Sequence, residues 1–223
     1  MIACHRNQLR RARQWLIALW LPVLAYGAEP RVIDRAVASI EGRVIAASQL
    51  EFEARVLLVD AGGVAAAFGA LDQQALEASL RAIIDARLAV LEADKLEAYP
   101  LDPGELEAAI AKFRARFESE GRFAQFLAAH EADLNELGEV LRRSLRAQKA
   151  LEGKLRLRAQ VTEAEARAWQ AEHPEYKATP IDQVRGVLVQ RRFGGLVRKE
   201  LSEQRRQNDV RLLGPYAPKQ GAP

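Results

Sequence analysis

Side chains able to do chemistry are few in this chain and far apart. Beyond the first thirteen residues it carries two histidines, His130 and His173. Neither stands in the HExxH spacing that puts two imidazoles on one helical face, and both are expected at helix ends. Ser48 and Ser144 have no histidine nearby in sequence to take a hydroxyl proton, and a capping role accounts for Ser48. Gly62-Gly63 and Gly194-Gly195 lack the spacing, the lysine and the preceding strand of a phosphate-binding loop. Glu163 and Glu165 could trade a proton with a substrate, yet paired carboxylates at a helix start ordinarily serve its dipole and free amides. These patterns point to no enzyme and call for no metal or cofactor. They leave binding: Phe113, Phe117, Phe123, Phe126 and Leu127 concentrate apolar surface suited to a groove for extended polypeptide segments, with core packing as the competing reading for each ring.

The element that must position these residues is the run from Leu71 to Tyr99, read as one long central helix. Leu76, Leu80, Ile83, Ile84, Leu88, Val90 and Leu91 recur at three- and four-residue intervals and form one apolar stripe. Ala75, Ala78, Ala82, Ala86, Ala89 and Ala93 fall on another side, where small side chains let a second element approach closely. Before it, Arg31 to Ile45 alternates apolar and polar residues about Glu41-Gly42, which predicts a small β-hairpin. Ser48 and Glu51 have capping-box spacing, predicting a helix from Gln49 to about Asp60, ended by Gly62-Gly63 and followed by a small-residue linker, Val64 to Ala70.

After it, Asp102, Pro103 and Glu105 cap a helix to about Ser119, with a break at Gly121 before a short apolar turn. A long helix from about Leu134 to Arg158 follows. Thr162 and Glu165 box a short helix ended by His173-Pro174. The last helix runs from Ile181 to about Gln207, with Gly194-Gly195 as a point of bending, and Val210 to Leu213 reads as a closing strand. The arginines of the two long helices, Arg142 to Arg158 and Arg185 to Arg211, read as solvated faces interleaved with Glu152, Glu200 and Glu203; anionic lipid or an acidic partner is the alternative.

The ends bound the setting. Arg6, Arg10, Arg11 and Arg13 precede the short apolar run from Trp15 to Ala25, and residues 1–28 are expected to be a secretory signal peptide. The formal charge of +3 comes from 33 basic and 30 acidic residues. Without those four arginines the balance is about −1, so no whole-protein case for nucleic acid remains. Cys4, the only cysteine, also lies in this segment, so disulfides, thiol nucleophiles and cysteine metal sites are excluded from the exported part. Composition rich in Ala, Leu, Glu and Arg predicts a mainly α fold: one helical domain over residues 29–213, then a disordered tail, 214–223.

The run Val37 to Ile45, followed by Ser48 and Leu50, resembles the strand, turn, strand and capped helix that open the SurA-like periplasmic chaperones, relatives in architecture of the peptide-binding domain of trigger factor. Asp85 and the box from Val161 to Glu165 are also similar to family positions, and Glu41 departs from the family's usual Asn or Asp. The resemblance implies a multi-helix chaperone domain with a small β-hairpin completed by a C-terminal strand. The family commonly carries parvulin-type prolyl isomerase domains before the final helix. Here six residues, Glu175 to Pro180, separate Pro174 from Ile181, so that activity is not carried over.

The expected function is a non-catalytic periplasmic chaperone that binds unfolded exported polypeptides, outer-membrane proteins among them, with no nucleic acid and no membrane span after signal cleavage. A separately encoded isomerase is a conceivable partner. The alternative is an adaptor of the same fold that docks one folded partner in an envelope assembly or export system.

Overall fold

In the hairpin that opens the fold, β1 (Ala36–Ile40) and β2 (Arg43–Ala46) are antiparallel, with Ile40 opposite Arg43. The computed structural model describes residues 34–218, so the expected signal peptide and the tail from 219 onward lie outside the described residues. From Asp34 onward the chain forms one compact unit. The hairpin turn needs left-handed backbone at both central positions, and Glu41 (φ 49°) and Gly42 (φ 76°) supply it. Glycine takes this conformation freely; Glu41 is held in it by the closing strand. Its N–H donates to the Asp209 carbonyl at 3.0 Å, and its Oε1 accepts from the Asp209 N–H at 2.7 Å. β3 (Val210–Leu212) then pairs antiparallel with β1, giving the order β2-β1-β3. The chain's end therefore completes the sheet begun at its start, as the resemblance implied.

Helix α1 (Ala47–Asp60) follows β2 without a loop. Ser48 is not its N-cap. The serine hydroxyl and N–H both donate to the Asp34 carboxylate, which this hydrogen bonding holds below its ordinary pKa, while Gln49 Oε1 accepts from the Ala46 N–H at 3.3 Å. The expected Ser48–Glu51 box is corrected accordingly: a carboxylate brought back by the hairpin outcompetes the local glutamate. α1 stops at Gly62 (φ 89°) as predicted. The small residues after it are no free linker, because a 3₁₀ turn at Ala66–Phe68 docks Ala67 and Phe68 on the core.

The central helix is α2 (Gln73–Lys95), capped by Asp72 Oδ1 on the Ala75 N–H at 2.7 Å, and it packs against α1 and two later helices. α3 (Pro103–Arg114) begins at the predicted Asp102–Glu105 box but ends five residues early. Ser119 caps α4 (Glu120–Ala129), so Gly121 lies inside a first turn and not in a break. α5 (Leu134–Leu155) is boxed by Asp133 and Glu136, α6 (Glu163–Glu172) by Thr162 and Glu165, and α7 (Ile181–Gln207) runs unbroken through Gly194-Gly195. Beyond β3, a further 3₁₀ turn at Gly214–Tyr216 sets Tyr216 against the core, which corrects the expectation that disorder begins at 214.

Three apolar clusters result. The first joins the sheet to α2 through Val37, Ile40, Ile45, Leu80, Ile84 and Leu88. The second gathers the end of α1, α3, α4 and the start of α5. The third joins α6 and the residues that flank it, Val161 and Tyr176, to the first half of α7, around Ala166 and Val184. α7 is shared between bodies of side chains: Val184 is buried toward α6, whereas Gln204 is buried beside α2 and α5. Twenty residues at 3.6 per turn put these two roughly 200° apart, so the helix changes the face it buries partway along. Its far end is tied to α2 by Arg205 and Asp85 at 2.8 Å.

Candidate functional site

The five residues expected to line a groove lie in the second cluster. Phe113, Phe117, Phe123 and Phe126 are 1%, 7%, 3% and 0% exposed, and Leu127 is partly buried beside them. Phe126 has Phe52, Phe68, Phe113 and Phe117 around it at centroid distances of 5.3–6.2 Å. These are core separations, and no client reaches the rings without opening the fold. The groove expectation is corrected on this ground. His130 closes the cluster over Phe126, its Nε2 3.1 Å from the Ala67 carbonyl oxygen. Burial, aided by the nearby Arg55, pushes its imidazole below the ordinary pKa.

Among the described residues three clefts open at the surface, besides smaller ones against α5. One of about 410 Å3 lies between α1 and α5 beside His130, and one of about 220 Å3 lies under the hairpin beside Arg87. Between them sits Glu53, whose Oε1 accepts from Arg87 and Arg143 at 2.7 Å each, so these two clefts flank a structural ion cluster. The third, about 680 Å3, lies between α6 and α7 and has an aromatic wall.

That wall follows from local chemistry. The Thr162 N–H donates to Glu165 Oε2 at 2.8 Å, and the Glu165 N–H donates back to Thr162 Oγ1 at 3.2 Å, starting α6. Glu165 also accepts from Arg192 of α7 at 2.8 Å, and Arg192 donates to the Gln160 carbonyl at 2.6 Å, which fixes the two helices at their base. The Thr162 backbone hydrogen bond and then Arg192 lower the Glu165 carboxyl to a pKa of about 2. At the other end of α6, His173 Nδ1 donates to the Trp169 carbonyl at 2.7 Å, and the two rings stack 3.7 Å apart at 17°. Tyr176 adds a tilted contact to Trp169 at 4.9 Å. Gln170 donates to the carbonyls of Tyr176 and Thr179, both at 2.8 Å, and so pins the loop into α7.

The finished cleft offers Val161, Trp169 and Leu188 as apolar surface and Glu172, His173 and Arg191 as polar edge. Trp169 is half-buried, so a rigid, amphipathic ring is held in place while part of it faces solvent. No nucleophile with a positioned base lines this cleft; its chemistry is contact and hydrogen bonding. Among the described residues no group of three His, Cys, Asp or Glu is placed to hold a metal, and no helix is long and apolar enough to cross a membrane. Sequence reasoning passed over this site, although Trp169 and His173 stand four apart, the spacing that stacks side chains on a helix.

No protein-family model matches the chain, and no curated protein matches it.

Proposed function

We propose that the chain is a non-catalytic chaperone that holds unfolded exported polypeptides in the periplasm, and that clients bind in the α6–α7 cleft against Trp169. The observation that carries this reading is a half-buried tryptophan, braced on His173 and Tyr176, in an open cleft with charged edges. A braced ring loses little conformational freedom on binding. A shallow cleft buries single apolar side chains of an extended segment, giving contacts weak enough to release without an energy source. The SurA-like order of strands and helices supports the same reading.

The test uses the chain from Glu29, in which Trp169 is the sole tryptophan. Titration with a denatured β-barrel protein should change Trp169 fluorescence saturably, unrelated unfolded chains should compete, and aggregation of the client should slow. Read from a label on the client, Trp169→Ala should weaken binding about tenfold with some loss of thermal stability, and Trp169→Phe, which keeps a ring on His173 and Tyr176, should weaken it less at a melting temperature near the parent's. Unslowed aggregation overturns the chaperone reading, and unchanged client affinity in Trp169→Ala overturns the site. Retention of one folded partner that unfolded chains do not displace would assign the adaptor role instead.

A further inference from the structure

Glu165, Glu172, Arg191 and Arg192 bring two carboxylates and two guanidinium groups to the lining of the α6–α7 cleft. Glu165 and Arg192 pair across its base at 2.8 Å. Glu172 and Arg191 are opposite in sign and exposed, yet among the described residues neither makes an ion pair, with the other or with any third group.

Their places on the two helices keep them apart. Arg191 precedes Arg192 by one residue and so stands at the Glu165 end of the cleft. Glu172 lies seven residues beyond Glu165, at the other end of α6. At 1.5 Å per residue the two levels are about 10 Å apart, and Trp169 of α6 and Leu188 of α7 supply the apolar surface between them. Helix stability does not account for Glu172. It is the last residue of α6, the end at which the helix dipole disfavours an acid.

An extended chain rises about 3.3 Å per residue, so about 10 Å corresponds to roughly three residues. Successive side chains point to opposite sides, and residues three apart therefore face opposite walls. Glu172 on α6 and Arg191 on α7 stand on opposite walls in the same way. We propose that the cleft prefers client segments with a basic and an acidic residue three positions apart and apolar residues between them. The basic side chain meets Glu172, the acidic one meets Arg191, and the two apolar side chains settle on Leu188 and Trp169. A segment lying in the reverse direction presents the same four side chains in the opposite order. The inference rests on the α6–α7 cleft as the client site and adds which segments that site selects.

The test uses the chain from Glu29 and short labelled peptides, followed by fluorescence anisotropy at low salt. One peptide carries lysine, leucine, phenylalanine and glutamate in that order within a glycine-serine chain. It should bind about threefold more tightly than peptides with two lysines or two glutamates at the charged positions. A peptide with its lysine and glutamate only two positions apart, both facing one wall, should be weaker by a similar factor. Glu172→Lys should move the preference to the two-glutamate peptide, and Arg191→Glu to the two-lysine peptide. Both variants should melt near the parent's temperature, because both side chains are exposed and unpaired among the described residues. Equal affinity for all the peptides that Trp169→Ala still weakens would overturn the charge preference and leave the client cleft standing. So would a preference unchanged in both charge variants. Binding of none of the peptides would overturn the cleft and the preference together.

Discussion

Glu53 of α1 and Arg143 of α5 meet at 2.7 Å although 90 residues separate them in sequence. Arg87 of α2 reaches the same carboxylate oxygen at the same distance, so one nearly buried glutamate joins three helices. Removing it leaves two guanidinium groups facing each other with neither neutralised. Glu53→Ala should lower stability by about 3 kcal/mol in urea unfolding. Replacing Glu53, Arg87 and Arg143 together by Met should recover most of that loss, since apolar packing replaces a desolvated ion cluster at little net cost. A triple variant as weak as Glu53→Ala would show that the ion cluster itself, which apolar packing does not replace, holds the three helices together.

Phe126 lies at the centre of the second cluster with no exposed surface, and Phe123 contacts Phe113 and Phe117 edge-on. Phe126→Ser should cost roughly 3–5 kcal/mol, because a large ring is lost and a hydroxyl is left in an apolar space. Thermal unfolding should report it as a drop of roughly 2–4 °C per kcal/mol for a chain of this size. A variant with unchanged melting temperature and weakened client binding would restore the groove that burial removes.

Why those rings mislead a reader of the sequence is instructive. Leu106, Ile110, Phe113 and Phe117 have the same spacing whether a third element covers them or solvent does. The cover comes from Phe52 on α1 and from Phe68, which sits in a run of small residues with no period to read. Local signals fared better: the Thr162–Glu165 box forms as spaced, and in the Asp102–Glu105 pair Glu105 accepts from the Asp102 N–H at 2.9 Å, because both partners lie within one turn. Ser48 has that spacing too, but Asp34 reaches it from across the hairpin, a long-range contact that no window of sequence contains. Glu53 was open to inference. It lies three residues after Leu50 and three before Val56, on the face that α1 buries, where a charge demands partners.

Glu165 makes the α6–α7 base sensitive to acid. Its folded pKa of about 2 lies below the ordinary value of 4.5, so folding releases its proton and the contribution is present above pH 4.5. It is lost as pH falls from about 4.5 toward 2. Urea unfolding followed by Trp169 fluorescence should show stability falling across that window. Glu165→Gln should flatten this part of the profile and lower stability at neutral pH, because its amide neither neutralises Arg192 nor accepts as strongly from Thr162. An identical acid profile in the variant would assign the loss to other carboxylates.

Gly194 and Gly195 sit in α7 between the half that buries Val184 and the half that buries Gln204. Neither has left-handed backbone. A Cβ at Gly195 would meet nothing within 4 Å, and one at Gly194 would meet only the mobile end of Arg198 at 3.6 Å. Packing and conformation thus give no reason for glycine, while each glycine costs a helix interior about 1 kcal/mol relative to alanine. Their effect is to soften the helix where its two halves serve different neighbours. Gly194→Ala and Gly195→Ala should each raise stability by about 1 kcal/mol, and together should slow hydrogen exchange of the α7 amides from Phe193 to Val197. If bending there helps the α6–α7 cleft admit clients, the doubly substituted chain should bind them more slowly while becoming more stable. Faster exchange or lower stability would mean that the glycines relieve a strain absent from the folded geometry.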